Sequence, residues 1–362
     1  MNIRENENLS LHTTMKIGGS AKKFISASSP DELVEALALA ESENQRVFIL
    51  GGGSNLLVSD AGFDGVVCEI AIPGIQWTTN DDGTTDVTVG AGVPFDDVAR
   101  LSAMRNLSGI ECMSGIPGRM GGGLVQNIGA YGQEIADVFV SAQAIHKQSF
   151  DTVTLSPKDC KFSYRHTALK IQDNPYVVTQ VTLRLTPFNA EKAVQRCIER
   201  GFGRMVADAP KNADEMRQLV LKTRQTKGMC YDENDVQTHS VGSFFVNPIL
   251  TEKDAQRHHA AHIIRNQKPM PMHRVEGGVK LSAAWLIEQS DFTRGFIHNG
   301  AALSAYHCLA IVNRGHASCA DVLELAQLIV KGVFKRFHIT LEPEVVYLSP
   351  TGIEPLPIEF PK

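Results

Sequence analysis

Two glycine-dense segments constrain this chain more than anything else in it: GGGSN at 51–55 and SGIPGRMGGGLVQNIGAYG at 114–132. Glycine reaches positive φ without steric cost and lets another backbone or a ligand come close, but it weakens helices and strands. The longer segment is therefore expected to be a folded loop and not a regular element. GGGSN alone reads more readily as a structural turn. Taken with the second segment, and with a strand-like run before each, it suggests two loops closing on one extended dinucleotide from two sides. Backbone N–H groups would meet the diphosphate, and Ser54 and Asn55 would add donors. Neither segment is a G-x-G-x-x-G opening a helix or a G-x-x-x-x-G-K-[ST], so the common Rossmann and P-loop folds are disfavoured.

The elements around these loops read as a mixture of helix and strand. Ser29-Pro30-Asp31-Glu32 predicts a helix start, with Ser29 as N-cap, proline in the first turn and Glu32 closing a capping box. RVFIL (46–50), GVVCEI (65–70), DVTVGAG, VFVSAQAI and VVTQVTLRL read as strands, and VPFDDVARLSAMRN as a helix. A helix is expected at about 213–227, with Met216, Leu219, Val220 and Thr223 at helical spacing. Ser318 with Asp321 caps another, and LEPEVVYL is expected as a last strand carrying Glu342 and Glu344 on one face. Pro187, Gly201, Gly203 and Pro210 punctuate a polar stretch that suggests a boundary near 188–215.

At 362 residues the chain exceeds one ordinary core, so two or three compact units are expected. Its net charge of -5 offers no basic field for nucleic acid, so anionic ligands must be met by local cations and backbone donors. Seven cysteines without a C-x-x-C pair fit reduced thiols in the cytoplasm. The N-terminus lacks an apolar leader, and no window approaches a membrane span, so neither export nor insertion is expected.

HTTMKIGG (12–19), ILGGGSNLLVSD (49–60), VGAG (89–92), GIPGRMGGG and QNIGAYG (115–132), FSYRHT (162–167), GSFFVNP (242–248), KLSAAWLIEQ (280–289) and LEPEVV (341–346) occur in that order. In order and spacing they resemble the UDP-N-acetylenolpyruvoylglucosamine reductase family, from the N-terminus to about residue 346. The resemblance implies an α+β fold: a vanillyl-alcohol-oxidase-type (PCMH-type) FAD-binding domain at 19–188, split near 68, a loop and helix connection at 189–228, and a C-terminal substrate-binding domain at 229–346. The last strand of that domain would return toward the flavin. It further implies FAD as cofactor, NADPH as reductant, and a nucleotide-sugar substrate. Hydride would pass to C3 of an enolpyruvyl group and a proton to C2, giving UDP-N-acetylmuramate for peptidoglycan synthesis by a cytoplasmic monomer or weak oligomer.

Residue by residue, the resemblance implies that Arg165 stabilises the enolate-like charge, Ser243 protonates C2, and Glu344 orients the arginine, the substrate carboxylate or a water. A guanidinium suits that task because it meets a carboxylate through two parallel N–H bonds, whereas a bare arginine after a strand would otherwise read as a surface residue. Gly51, Gly52, Gly53, Ser54, Asn55, Ile116, Pro117, Gly118, Gly122, Gly123, Asn127, Gly129 and Ala130 match cofactor contacts. Tyr131, Tyr164 and Asn247 match residues lining the cleft. Arg224 and Lys227, three apart on the expected helix, either meet phosphate charge or form a solvated basic helix end.

The family usually has a Leu-Pro-Asp-Pro run after the residue matching Lys227, whereas this chain reads GMCYDENDVQTHSVG and is longer before Ser243. Val246 stands where many relatives carry lysine. The stretch 186–230 resembles the class with an extra substrate-closing loop but lacks that class's tyrosine, leaving Phe202 or another residue as its substitute. Ser304 and His307 are not assigned catalytic roles. His258, His259 and His262 include an i, i+4 pair, yet no acidic partner joins them, so exposed helix histidines are expected and no metal. The alternatives are a flavin oxidase or dehydrogenase on the same scaffold, or a flavin or nucleotide-sugar binding protein without turnover.

Overall fold

A computed structural model describes residues 2–171, 174–199, 210–266, 269–275 and 277–361. The chain gathers into two compact units. The first takes residues 1–7, 20–53 and 63–230, and the second takes 8–19, 54–62 and 231–362.

The first unit carries a four-stranded sheet in the order Ile3–Asn8, Ser20–Ala27, Phe63–Ile70, Val47–Leu50. The last three run parallel, which requires a crossover, and helix Pro30–Ser42 supplies it. Ser29 caps its start as expected, its hydroxyl accepting from the Glu32 N–H, but the expected capping box is not closed: the Glu32 carboxylate takes the N–H of Ser28 at 2.7 Å and not that of Ser29. A second, antiparallel sheet is ordered Thr152–Leu155, Phe139–His146, Tyr176–Pro187, Thr85–Gly90, Ile75–Thr79, with Leu107–Ser108 beside Tyr176–Pro187. One core serves both sheets, through Ile25, Leu33, Val66, Val89, Phe95, Leu124 and Val181.

In the second unit, helix Cys319–Phe337 buries Val322, Leu325, Ile329 and Val333 against Phe244, Leu286 and Ile311. Ser318 and Asp321 cap it reciprocally, as expected. Asp60 adds a second cap, accepting the N–H groups of Cys319 at 2.7 Å and Ala320 at 3.1 Å.

Three further expectations differ from what is observed. Segment 114–132 is not loop throughout: Met120–Gln126 is helical and contains Gly121, Gly122 and Gly123. Tertiary packing overrides propensity there, because Met120 and Leu124 are buried and a Cβ on Gly121 would lie 2.9 Å from that of Ala91. The last strand begins only at Val346, so Glu342 and Glu344 precede it, on either side of an isolated bridge between Pro343 and Phe245. Helix Ala213–Gln225 stops short of Lys227.

The compact units are bounded differently from the expected cofactor and substrate domains. Residues 54–62 join the second unit, where Leu56–Val58 pairs in parallel with Val346–Ser349. The described residues of 189–230 belong to the first unit, where Met216 and Val220 pack with Cys112. Phe202 lies outside the described residues, as does the side chain of His262. His258 and His259 are half-buried on helix Glu252–Asn266, and among the described residues no group of three His, Cys, Asp or Glu could hold a metal. No helix among the described residues is long and apolar enough to cross a membrane. The described cysteines are free thiols.

Candidate active site

Strand Val47–Leu50 ends directly in Gly51, and strand Phe63–Ile70 beside it anchors the second glycine segment through Arg119. The Arg119 guanidinium donates to Glu69 Oε1 at 2.6 Å and also to the Ile70 carbonyl, while Ser26 holds the other Glu69 oxygen at 2.7 Å. The Phe95 N–H fixes the Gly118 carbonyl at 2.9 Å. These ties bring the two segments into backbone contact. A Cβ on Gly52 would fall 2.6 Å from Gly118 Cα, and one on Gly51 would stand 3.8 Å from Gly122 Cα. A Cβ on Gly122 would meet nothing within 4 Å, so the space beside it is open. Glycine on both walls and open space along one of them leave room for a ligand to approach the backbone, as the expected diphosphate contact needs.

Beyond helix Met120–Gln126 the chain turns back on itself. Gly129–Ala130 pairs with Gln133–Glu134, and the two turn residues both have positive φ, Tyr131 at 49° and Gly132 at 84°. That is the hairpin geometry for which asparagine and glycine are the usual residues, so a tyrosine there is strained. The ring lies 5.8 Å from the Lys227 ammonium, and burial raises the Tyr131 pKa.

Arg165 sits at the tip of a turn closed by Ser163 and His166, with φ 57°, and its Nη2 donates to the Gly129 carbonyl at 2.6 Å. Tyr164 beside it is 38% exposed, with the guanidinium 5.8 Å from its ring. Arg224 turns inward at the end of its helix and donates to the carbonyls of Met229 at 2.6 Å and Gly115 at 3.3 Å. Burial lowers the pKa of Arg224, and burial together with Arg224's charge lowers that of Lys227. Two adjacent cations, each disfavoured in its charged form, gain from an anion. The Gly115 N–H is taken by Asp96 at 2.6 Å, and Asp96 also receives both Nη atoms of Arg217 at 2.5 and 2.7 Å.

Asn127, expected among the cofactor contacts, has its amide engaged inside the protein. Nδ2 donates to Glu134 Oε2 at 2.9 Å and to the Ser163 carbonyl at 3.0 Å, and Oδ1 accepts from the Ala136 N–H at 3.1 Å. Ile116 and Pro117 follow Gly115, and Gly53 has φ 61°.

The remaining assigned residues belong to the second unit. Ser243 is half-buried and follows Gly242, whose N–H donates to Ser240 Oγ at 3.1 Å. Thr14 Oγ1 donates to the Ser240 carbonyl at 2.7 Å. The next residue, Phe244, is buried, and its carbonyl accepts from the Glu344 N–H at 2.9 Å, so Ser243 and Glu344 flank one backbone hydrogen bond. Asn55 Nδ2 donates to the Glu344 carbonyl at 3.2 Å and the Asn55 carbonyl accepts from Val346, which places Ser54 and Asn55 beside the same segment. Asn247 Oδ1 accepts from the Ala283 N–H at 2.9 Å. The atypical run before Ser243 is laced internally: Thr238 Oγ1 accepts from the Asp232 N–H at 2.9 Å, and Lys16 meets Glu233 at 3.2 Å. Ser304 is buried and accepts from the Tyr306 N–H, and His307 accepts from Leu309, both within one loop.

Sequence reasoning missed Arg119, Asp96, Arg217 and Thr14. An arginine directly after Gly118 in the second glycine segment and a threonine inside HTTMKIGG were the available signals. For Asp96 and Arg217 no local signal exists.

Residues 21–149 match the family described as FAD binding domain, and residues 234–348 match UDP-N-acetylenolpyruvoylglucosamine reductase, C-terminal domain. The chain is similar to a protein of Streptomyces coelicolor named UDP-N-acetylenolpyruvoylglucosamine reductase, 38% identical over 340 residues, covering 92% of this chain and 87% of that one. It is 35% identical over 353 residues to a protein of the same name from Mycobacterium tuberculosis, covering 93% of each chain. The crystal structure of the reductase from Thermus caldophilus shares the fold, at a TM-score of 0.63 and 24% identity over 96% of this chain and 98% of that one.

Proposed function

The chain belongs to the UDP-N-acetylenolpyruvoylglucosamine reductase family, and from that membership we propose that it uses NADPH and bound FAD to reduce UDP-N-acetylenolpyruvoylglucosamine to UDP-N-acetylmuramate. The single observation that carries the reading is the bond from Arg165 Nη2 to the Gly129 carbonyl, because it joins a carboxylate-binding side chain to the segment that forms the glycine cradle. The cradle fits the cofactor: glycines at 51, 52, 118 and 122 leave backbone N–H groups approachable and one wall open. Its residues are Gly51, Gly52, Gly53, Ile116, Pro117, Gly118, Gly122 and Gly123, continued by Gly129 and Ala130, with Ser54 and Asn55 following in sequence.

When bound, FAD supplies the two-electron relay by which hydride from NADPH reaches C3 of the enolpyruvyl group. Arg165 holds the substrate carboxylate and stabilises the negative charge that gathers there as C3 accepts the hydride. Ser243 donates its hydroxyl proton to C2, completing addition across the double bond. Glu344 orients the reacting carboxylate or a water that returns the proton to Ser243. Arg224 and Lys227 meet the pyrophosphate, Tyr131 and Tyr164 line the sugar-nucleotide path, and Asn247 borders the substrate. The proposed cofactor domain centres on residues 19–188 and the substrate domain on 229–346. The reaction belongs to peptidoglycan precursor synthesis in the cytoplasm, on which cell shape and division depend, and needs no more than a monomer or weak oligomer.

The test is anaerobic stopped-flow absorbance. NADPH is expected to bleach the yellow band, and the enolpyruvyl nucleotide sugar to restore it without air. Reoxidation by oxygen but not by that substrate would make the protein an oxidase, and a protein that binds flavin but is not reduced by NADPH would be a binding module.

A further inference from the structure

Asn127 stands where the helix Met120–Gln126 ends, at φ 46°, and it is 1% exposed. A left-handed asparagine at a helix end is common, and by itself it says nothing about function. Its amide is what distinguishes it, because both hydrogens of Nδ2 and the Oδ1 acceptor have partners in the protein. One of those partners is the carbonyl of Ser163, the residue that opens the turn whose tip is Arg165.

The same turn is fastened twice more to the same stretch of chain. Arg165 Nη2 donates to the Gly129 carbonyl at 2.6 Å, and buried Thr167 donates from Oγ1 to the Val125 carbonyl at 2.7 Å. Residues 125, 127 and 129 thus hold residues 167, 163 and 165, across the end of the glycine-rich helix. A turn with a non-glycine tip at φ 57° is strained, and it persists only if its surroundings fix it.

We propose that Asn127 is a positioning residue: its side-chain amide holds the Ser163–His166 turn, and with it the Arg165 guanidinium, in register with the glycine cradle, and it does not bind the cofactor. This rests on Arg165 being the carboxylate anchor. Loss of the tie lets the guanidinium drift from the place where substrate charge develops, which affects the substrate half of the reaction and leaves the NADPH half alone.

The experiment uses Asn127→Gly in the full-length FAD-loaded protein. Glycine keeps the left-handed backbone and deletes only the amide, so folding is preserved as far as one substitution allows. FAD content and the rate of anaerobic reduction by NADPH are expected to stay within about twofold of the parent, while reoxidation by the enolpyruvyl substrate slows about 10- to 100-fold, the usual scale for a misplaced group. Asn127→Asp, which keeps the acceptor for Ala136 N–H but cannot donate to the Ser163 carbonyl, is expected to show the same split. Loss of FAD from a folded variant would overturn the proposal and make Asn127 a cofactor contact. Unchanged reoxidation would overturn it, as would an equal loss in both half-reactions. Arg165→Lys runs beside them. If it slows reoxidation and Asn127→Gly does not, only the positioning role fails; if Arg165→Lys itself reoxidises normally, the anchoring role of Arg165 falls.

Discussion

Gly52 and Gly118 approach so closely that a Cβ on the first would lie 2.6 Å from the Cα of the second, a distance that real side chains do not tolerate against backbone. The two residues come from segments that are far apart in sequence, and Arg119 beside Gly118 reaches the strand next to the one that emits Gly52. The glycines are thus required twice, once by each other and once by whatever lies against their N–H groups.

Gly52→Ala should therefore force the loops apart and yield a protein that no longer retains FAD, read as missing flavin absorbance at a preserved far-ultraviolet dichroism spectrum. Gly122→Ala is the control. Its Cβ would meet no protein atom within 4 Å, so the fold and melting temperature should hold while FAD affinity alone falls. The Gly52→Ala protein is expected to be colourless; one that remained yellow with parental affinity would contradict the cradle.

Asp96 and Arg217 form a bidentate pair in which the arginine side chain is 6% exposed and the aspartate 36%. Arg217→Met leaves Asp96 with only the Gly115 N–H, and Asp96→Asn leaves a buried guanidinium uncompensated. The latter should cost about 3 kcal/mol, the low end for a broken buried pair because Asp96 is partly solvated. Burial alone would raise the Asp96 pKa, but the bonds from Arg217 and the Gly115 N–H outweigh it and hold it below the usual carboxylate value. A depressed folded pKa contributes stability above the unfolded value of 3.8, and that contribution is lost as pH falls through the folded pKa. Urea denaturation should accordingly show the gap between parent and Asp96→Asn narrowing only below about pH 4.

Lys227 loses its proton at lower pH than an ordinary lysine, because of its burial and the charge of Arg224. Its contribution to anion binding is present on the acid side and fades as pH rises toward its lowered pKa. KM for the nucleotide sugar should therefore climb on the alkaline side before an ordinary lysine would titrate. Lys227→Arg should push that limb upward, and steady-state pH profiles of the two proteins would show whether it moves.

Ser243→Ala should leave bleaching of the flavin by NADPH intact and reduce substrate turnover by about 100-fold or more, the scale for removing a general acid. Comparing the two half-reactions separately decides the matter. Near-normal turnover would remove Ser243 from the chemistry.

What was readable in the chain itself was everything that depends on a few neighbouring residues. Ser29 with Glu32 and Ser318 with Asp321 announce helix starts because a hydroxyl and a backbone N–H three residues apart can only meet in that geometry. Alternating apolar runs announce strands such as Thr85–Gly90, and the glycine clusters announce a place where chain must approach chain. Tertiary structure alone decided the rest. It made Met120–Gln126 helical against the propensity of three glycines, by giving Met120 and Leu124 a core to enter. It broke the C-terminal strand after Glu344, because Pro343 pairs with Phe245 in an isolated antiparallel bridge whereas from Val346 onward the chain pairs with Leu56–Val58. It paired Asp96 with Arg217, and Asn127 with Ser163, across separations that no local pattern encodes. Local pattern selects among backbone conformations that differ by tenths of a kcal/mol to about 1 kcal/mol per residue, whereas burial and desolvated polar contacts are worth several and depend on what the rest of the chain brings to the site.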